Sequence, residues 1–186
     1  MQRHFNFRSL FLAMSAVLLL SATLQAKTTR PTKAVRPRTV ADYFMLLPQS
    51  FFEMERSQRK KWLYDETSII DIKNDYILMA GDGAQGTLQV ALFRYQGRVL
   101  VAVRNEADMG FLDFLRYENG RWKNVTKAVL PVPFNERYIY TLPRYGTVIK
   151  VTTRDDIYDD TERKPKVKRV YDLLWVRGKF KVKRYR

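Results

Sequence analysis

Phe111-Leu112-Asp113-Phe114-Leu115-Arg116-Tyr117-Glu118, then Asn119-Gly120, then Arg121-Trp122-Lys123-Asn124-Val125-Thr126: two strand-like runs flank a hairpin dipeptide. Asn-Gly is the strongest short hairpin signal, because both residues tolerate the positive φ that a two-residue turn demands. A two-residue turn also sets the register. It pairs Glu118 with Arg121, Tyr117 with Trp122 and Phe114 with Val125. Opposite charges and aromatic side chains then meet across the strands, each pair contributing roughly 0.2–1 kcal/mol.

Working outward, two further turns have the same layout. Gln96-Gly97 joins Val90–Tyr95 to Arg98–Val103. Arg177-Gly178 pairs Val176 with Lys179, Trp175 with Phe180 and Leu173 with Val182. All three follow one pattern: an aromatic residue, one to three others, Gly, then Arg or Lys. The turns fall at unequal intervals, which excludes a propeller or solenoid with a fixed repeat. From Ser68 onward, ten short apolar runs alternate with turn residues. They predict strands over Ser68–Ile72, Tyr76–Ala80, Thr87–Tyr95, Arg98–Arg104, Phe111–Tyr117, Arg121–Thr126, Tyr138–Leu142, Thr147–Thr153, Val167–Val176 and Lys179–Tyr185. Short strands without intervening helices pair antiparallel.

The N-terminal part reads differently. Thr39 is placed to cap a short helix over Tyr43–Leu47, which Pro48 stops. A second helix is predicted from Ser50 to Leu63, with Ser50 and Glu53 as a capping box. Its later turns carry Arg56, Arg59, Lys60 and Lys61, where cations suit the helix dipole. Phe51, Met54 and Trp62 form its buried side. The fold class expected is mainly β (α+β): a single antiparallel meander sheet, curved and open first, barrel-like second, with one or two N-terminal helices.

Three regions are expected along the 186 residues. Residues 1–26 have the layout of a secretory signal peptide: basic Arg3, His4 and Arg8, an apolar run from Leu10 to Leu20, and a cut after Ala26. That run is shorter than the roughly 18–20 residues a membrane-spanning helix needs, so no span is expected after cleavage. Residues 27–38 form a basic tether with two prolines, and 39–186 form one β domain. The chain is expected to be exported, to the periplasm or outside a bacterial cell. Leu47-Pro48, Asp75-Tyr76-Ile77-Leu78 and Phe114-Leu115-Arg116-Tyr117 with Trp122 give it a layout that resembles small secreted bacterial proteins of unknown function. The resemblance implies an envelope or secreted location and no substrate.

Composition narrows the chemistry. The chain has 34 Lys and Arg, 19 Asp and Glu, one His and no Cys. Cleavage would remove that His, His4. Without His or Cys the chain beyond Ala26 has no Ser-His-Asp or Cys-His nucleophile and no His/Cys zinc site. Gly81-Asp82-Gly83-Ala84-Gln85-Gly86 spells a dinucleotide fingerprint, but a strand-like run follows where a phosphate-binding helix would be needed. No nucleotide and no other cofactor is therefore expected. A carboxylate pair could hydrolyse glycosides at a suitable separation. Asp75, Asp82, Asp108 and Asp113 lie near strand ends, where turns also place Asp, and no two stand out. The cluster Asp155, Asp156, Asp159, Asp160 and Glu162 lacks the spacing of a calcium loop.

The formal net charge of +15 attracts anions without naming one. Its densest part is the C-terminal segment. Side chains two apart share a strand face. That alternation puts Lys166, Lys168, Lys179, Lys181 and Lys183 on one face, with Asp172 opposite Lys183, and turns Tyr171, Leu173, Trp175, Phe180 and Val182 to the core. Such lysines deter edge-to-edge aggregation, and they also form a polyanion-binding face. The expected function is a non-enzymatic envelope-binding protein that docks on an anionic polymer, lipid headgroups or a protein partner. Nucleic acid is not an expected partner. The competing readings are a carboxylate-dependent glycan hydrolase and a structural component of an envelope assembly.

Overall fold

The computed structural model describes residues 36–52, 54–81, 86–106, 110–153 and 167–185. The expected signal peptide, most of the tether, the acidic cluster, Asp82, Asp108 and Lys166 lie outside them. Arg36–Arg186 forms one compact unit.

The mainly β class holds, and all ten expected strands are present: β1 Ser68–Asp71, β2 Tyr76–Met79, β3 Leu88–Tyr95, β4 Arg98–Asn105, β5 Phe111–Glu118, β6 Arg121–Asn124, β7 Tyr138–Thr141, β8 Val148–Thr153, β9 Arg169–Val176 and β10 Lys179–Arg184. Every pairing is antiparallel. The three hairpin registers match those read from the turns. Gln96, Asn119 and Arg177, and the glycine after each, all have positive φ, as two-residue turns of this hand require.

The strands form two sheets where one meander was expected. β1–β6 make a six-stranded sheet in sequence order, and β10-β9-β8-β7 make a four-stranded one. The break follows β6. Thr126–Val129 turns into a short helix, α3, and Pro131 and Pro133 come next. Proline offers no N–H to a ladder, so β7 does not add to β6. It starts a second sheet packed across the first. Neither sheet closes into a barrel.

The six-stranded sheet is covered on both faces. On one face lie α1 (Val40–Leu46) and α2 (Arg56–Leu63), with Val40, Phe44, Leu47 and Leu63 meeting Ile77, Val90, Val101 and Val103. On the other lies the second sheet, with Tyr140, Ile149, Leu173 and Phe180 meeting Phe93, Leu100, Ala102 and Phe114. This explains the unbroken apolar run Val90-Ala91-Leu92-Phe93: a strand buried on both sides has no reason to alternate.

The helices differ in part from expectation. Thr39 caps α1 with Asp42 in a reciprocal capping box. The second helix starts at Arg56, after a separate 3-10 turn over Gln49–Phe51. Between them Phe52 is extended, and its ring meets Phe44 at 5.1 Å. Glu55 and Gln58 cap α2 in place of the expected Ser50 and Glu53, and Glu53 lies outside the described residues. Arg59 turns inward, away from the surface cations. It donates to the Leu47 carbonyl at 2.6 Å and Gln49 Oε1 at 2.7 Å, over the Phe52 ring. The end of the expected tether is tied down, because Arg94 donates to the Arg38 carbonyl at 2.9 Å.

Polar side chains join the two sheets at the edge strand β7. Arg104 donates to the Tyr140 carbonyl. Gln89 accepts from the Leu142 N–H at 3.1 Å and donates to Glu106 at 2.8 Å, which also takes a bond from Arg104. These side chains satisfy backbone groups that an edge strand otherwise leaves unpaired.

Candidate functional site

The second sheet turns its far face to solvent. Lys179, Lys181 and Lys183 of β10 stand on it, opposite Val176, Leu174 and Asp172 of β9. Lys150 of β8 pairs with Asp172 from the other side, so the row Lys183–Asp172–Lys150 crosses three strands. All four lysines are exposed. Lys150 was missed in the sequence because its place depends on a pairing between distant segments.

The expected lysine set changes at one point. A bulge interrupts the ladder where Val151 faces Tyr171 and Thr152 faces Arg169, leaving Val170 unpaired. One extra residue inverts the alternation beyond it. Arg169 therefore joins the solvent face, and Lys168, opposite Thr153, is taken out of step with Lys179, Lys181 and Lys183. The Thr153 N–H donates to the Lys168 carbonyl at 2.8 Å, and the Lys168 N–H donates to the Thr153 hydroxyl at 3.1 Å. Arg169 uses its new place to bind Asp172 with two nitrogens, at 2.7 and 2.5 Å. Tyr185 also donates to Asp172, and the Arg169 guanidinium sits 4.5 Å over the Tyr185 ring. Burial works to raise the Asp172 carboxyl. The bonds from Arg169 and Tyr185 and the charges of Arg169 and Lys183 outweigh it and hold the carboxyl below the usual range. Among the described residues the face's one acid is thus a neutralised, buried anion.

A second basic feature lies at one end of the sandwich, where two of the look-alike turns converge. A cleft of about 300 Å³ opens between the β3–β4 turn, β5 and the β9–β10 turn. Tyr95 and Trp175 wall it, Val99 and Leu100 contribute apolar surface, and Arg98, Arg116, Arg177 and Lys179 line it. Among the described residues no carboxylate lines it. Among the described residues, none of these four cations takes part in an ion pair. The walls are fixed: Trp175 packs on Phe93 and Phe180 and donates from Nε1 to the Arg94 carbonyl at 3.2 Å. Tyr95 lies against Gly178, where a Cβ would come within 3.1 Å of the ring. The sequence held a sign of this cleft in the repeated aromatic-Gly-basic pattern. It could not show that residues eighty apart in the chain meet.

Of the carboxylates singled out in the sequence, Asp75 and Asp113 are among the described residues, and both have structural partners. Asp75 holds Arg94 through two bonds, at 2.6 and 2.8 Å. Asp113 accepts from Asn124 at 2.8 Å and Thr126 at 3.0 Å, fixing the turn into α3. Among the described residues no three metal-ligating side chains converge, and no helix is long and apolar enough to cross a membrane. No family model, curated protein or solved structure matches the chain.

Proposed function

We propose that the protein is an exported, non-enzymatic binding protein of a bacterial envelope. It docks on anionic envelope polymers or lipid headgroups through the solvent face of its second sheet. The observation that carries this reading is the placement of Lys150, Lys179, Lys181 and Lys183 on one open face where, among the described residues, the one acid, Asp172, is already neutralised by Arg169. A face of exposed cations creates a positive field suited to an extended anionic surface.

The test is co-sedimentation of the purified protein with phosphatidylglycerol vesicles, phosphatidylcholine vesicles and isolated envelope material. The variant Lys150→Gln/Lys179→Gln/Lys181→Gln/Lys183→Gln runs beside it. Tight binding to phosphatidylglycerol or envelope material, weakened at least tenfold in the variant and by 0.5 M salt, is expected, because exposed charges are screened within a few ångströms at high salt. Equal binding by both proteins, or equal binding to both lipids, refutes the docking face.

A further inference from the structure

We infer that the cleft between the β3–β4 and β9–β10 turns binds a small phosphorylated sugar. This site is separate from the lysine face except for Lys179, and its ligand chemistry differs. The face is open and lined by ammonium groups. The cleft is concave and lined by three guanidinium groups, from Arg98, Arg116 and Arg177, with one ammonium. Guanidinium forks match phosphate oxygens two at a time, which a compact ammonium cannot do. Arg98 comes from β4, Arg116 from β5 and Arg177 from the β9–β10 turn, and among the described residues no carboxylate pairs with them. Like charges gathered at one place repel, and an arriving dianion removes that repulsion.

The non-ionic walls describe the rest of the ligand. Tyr95 and Trp175 offer ring surface beside the cations. Trp175 has already committed its N–H to the Arg94 carbonyl, so it can contribute ring surface only. Ring surface beside guanidinium groups fits the C–H face of a pyranose carrying a phosphate. A volume of about 300 Å³ is at the small end of ligand pockets, which favours a monosaccharide phosphate over a whole nucleotide. Both hairpin turns are tight and anchored by packing, so the site needs little reorganisation to bind. That preorganisation separates a site from a chance group of surface charges.

The experiment is isothermal titration of the purified protein with glucose 1-phosphate, glucose, inorganic phosphate and adenosine monophosphate. Vesicles of phosphatidylcholine with phosphatidylinositol 4-phosphate present the same chemistry as a lipid headgroup. The variant Arg98→Gln/Arg116→Gln removes cleft charge. Lys60→Gln/Lys61→Gln removes equal charge from α2, on the other face of the six-stranded sheet, and controls for net charge. Glucose 1-phosphate is expected to bind at least tenfold tighter than glucose or phosphate, with that advantage lost in the cleft variant and kept in the control. Trp175→Leu should bring sugar phosphate down to the affinity of phosphate alone. The vesicle arm tells the sources apart: vesicle binding tenfold tighter than the soluble sugar phosphate, and dependent on Arg98 and Arg116, assigns the site to a headgroup. Equal affinity for phosphate and sugar phosphate, tighter binding of the nucleotide, or equal losses in the two double variants overturns the inference. Because the vesicle docking test uses other side chains apart from Lys179, failure here would leave the lysine face untouched.

Discussion

Phe180→Ala tests the two-sheet architecture at a contact between the sheets. Phe180 is on β10, one of the two edge strands of the second sheet. Its side chain is only 4% exposed. Its ring meets Phe114 at 5.0 Å, Phe93 at 5.1 Å and Trp175 at 5.0 Å. Two of these partners belong to the six-stranded sheet, so the ring joins sheet to sheet. Truncating a buried Phe to Ala costs about 3–5 kcal/mol. Losing three aromatic contacts of roughly 0.5–1.5 kcal/mol each moves the value toward the top of that range. For a chain of this size about 5 kcal/mol lowers Tm by roughly 10–20 °C. The assay is equilibrium urea unfolding followed by circular dichroism and tryptophan fluorescence. Tyr145→Ala, at a residue 69% exposed, serves as a reference expected to stay within about 0.5 kcal/mol. A loss below about 1 kcal/mol for Phe180→Ala would mean that β10 does not seat on the first sheet, and would refute the sandwich.

Other outcomes follow from single contacts. Gly178→Ala should destabilise more than Gly97→Ala in thermal unfolding. Both have positive φ, but only at Gly178 would the new Cβ meet a ring, that of Tyr95. Tyr95→Ala in the same chain should remove the difference. Trp122→Phe should cost about 1 kcal/mol in urea unfolding, because the indole N–H donates to the Leu46 carbonyl at 2.8 Å and docks the end of α1. Stability should fall in acid. Asp42, Asp71 and Asp172 are held below the ordinary carboxylate value. Their contribution is complete above about pH 4 and is lost as pH drops through their lower folded values. Stability should also fall in alkali. Burial, then the bond with Tyr140, raises the Tyr171 hydroxyl, so its contribution is present below about pH 10 and disappears as pH climbs toward the folded value. A pH series of urea midpoints checks both limbs.

The strands and the three hairpins were legible because their causes are local. Asn119-Gly120 fixes its own turn, and the turn fixes which residue faces which. What the sequence hid depends on contacts between distant segments. Val90-Ala91-Leu92-Phe93 looks like a poor alternator until helices cover one side and a second sheet the other. Arg59 looks like a surface cation until Leu47, Gln49 and Phe52 are seen to enclose it. The bulge at Val170 left no trace in the alternation of Lys166 and Lys168, yet it moves Lys168 out of step and brings Arg169 to Asp172. The cleft is the clearest case. Its two turns were read correctly one at a time, and their meeting depends on how two sheets cross.

The lysines of β10 have two explanations that one pair of substitutions can separate. β10 is an edge strand, and charge on an edge strand prevents pairing with another chain. That protection needs charge of either sign. Docking on an anionic surface needs positive charge. Lys179→Glu/Lys181→Glu therefore keeps the first property and removes the second, whereas Lys179→Thr/Lys181→Thr removes both. Lys183 is left intact, because a glutamate there would face Asp172 directly across the strands and add a like-charge repulsion unrelated to either role. If the lysines serve only solubility, the Glu variant stays monomeric in light scattering, the Thr variant aggregates, and vesicle binding is the same in wild type and Glu variant. If they serve docking, the Glu variant stays monomeric and loses phosphatidylglycerol binding by at least the tenfold expected for the Gln variant. The two roles coexist in one strand because a sheet edge that must stay unpaired is also a place where charge remains exposed.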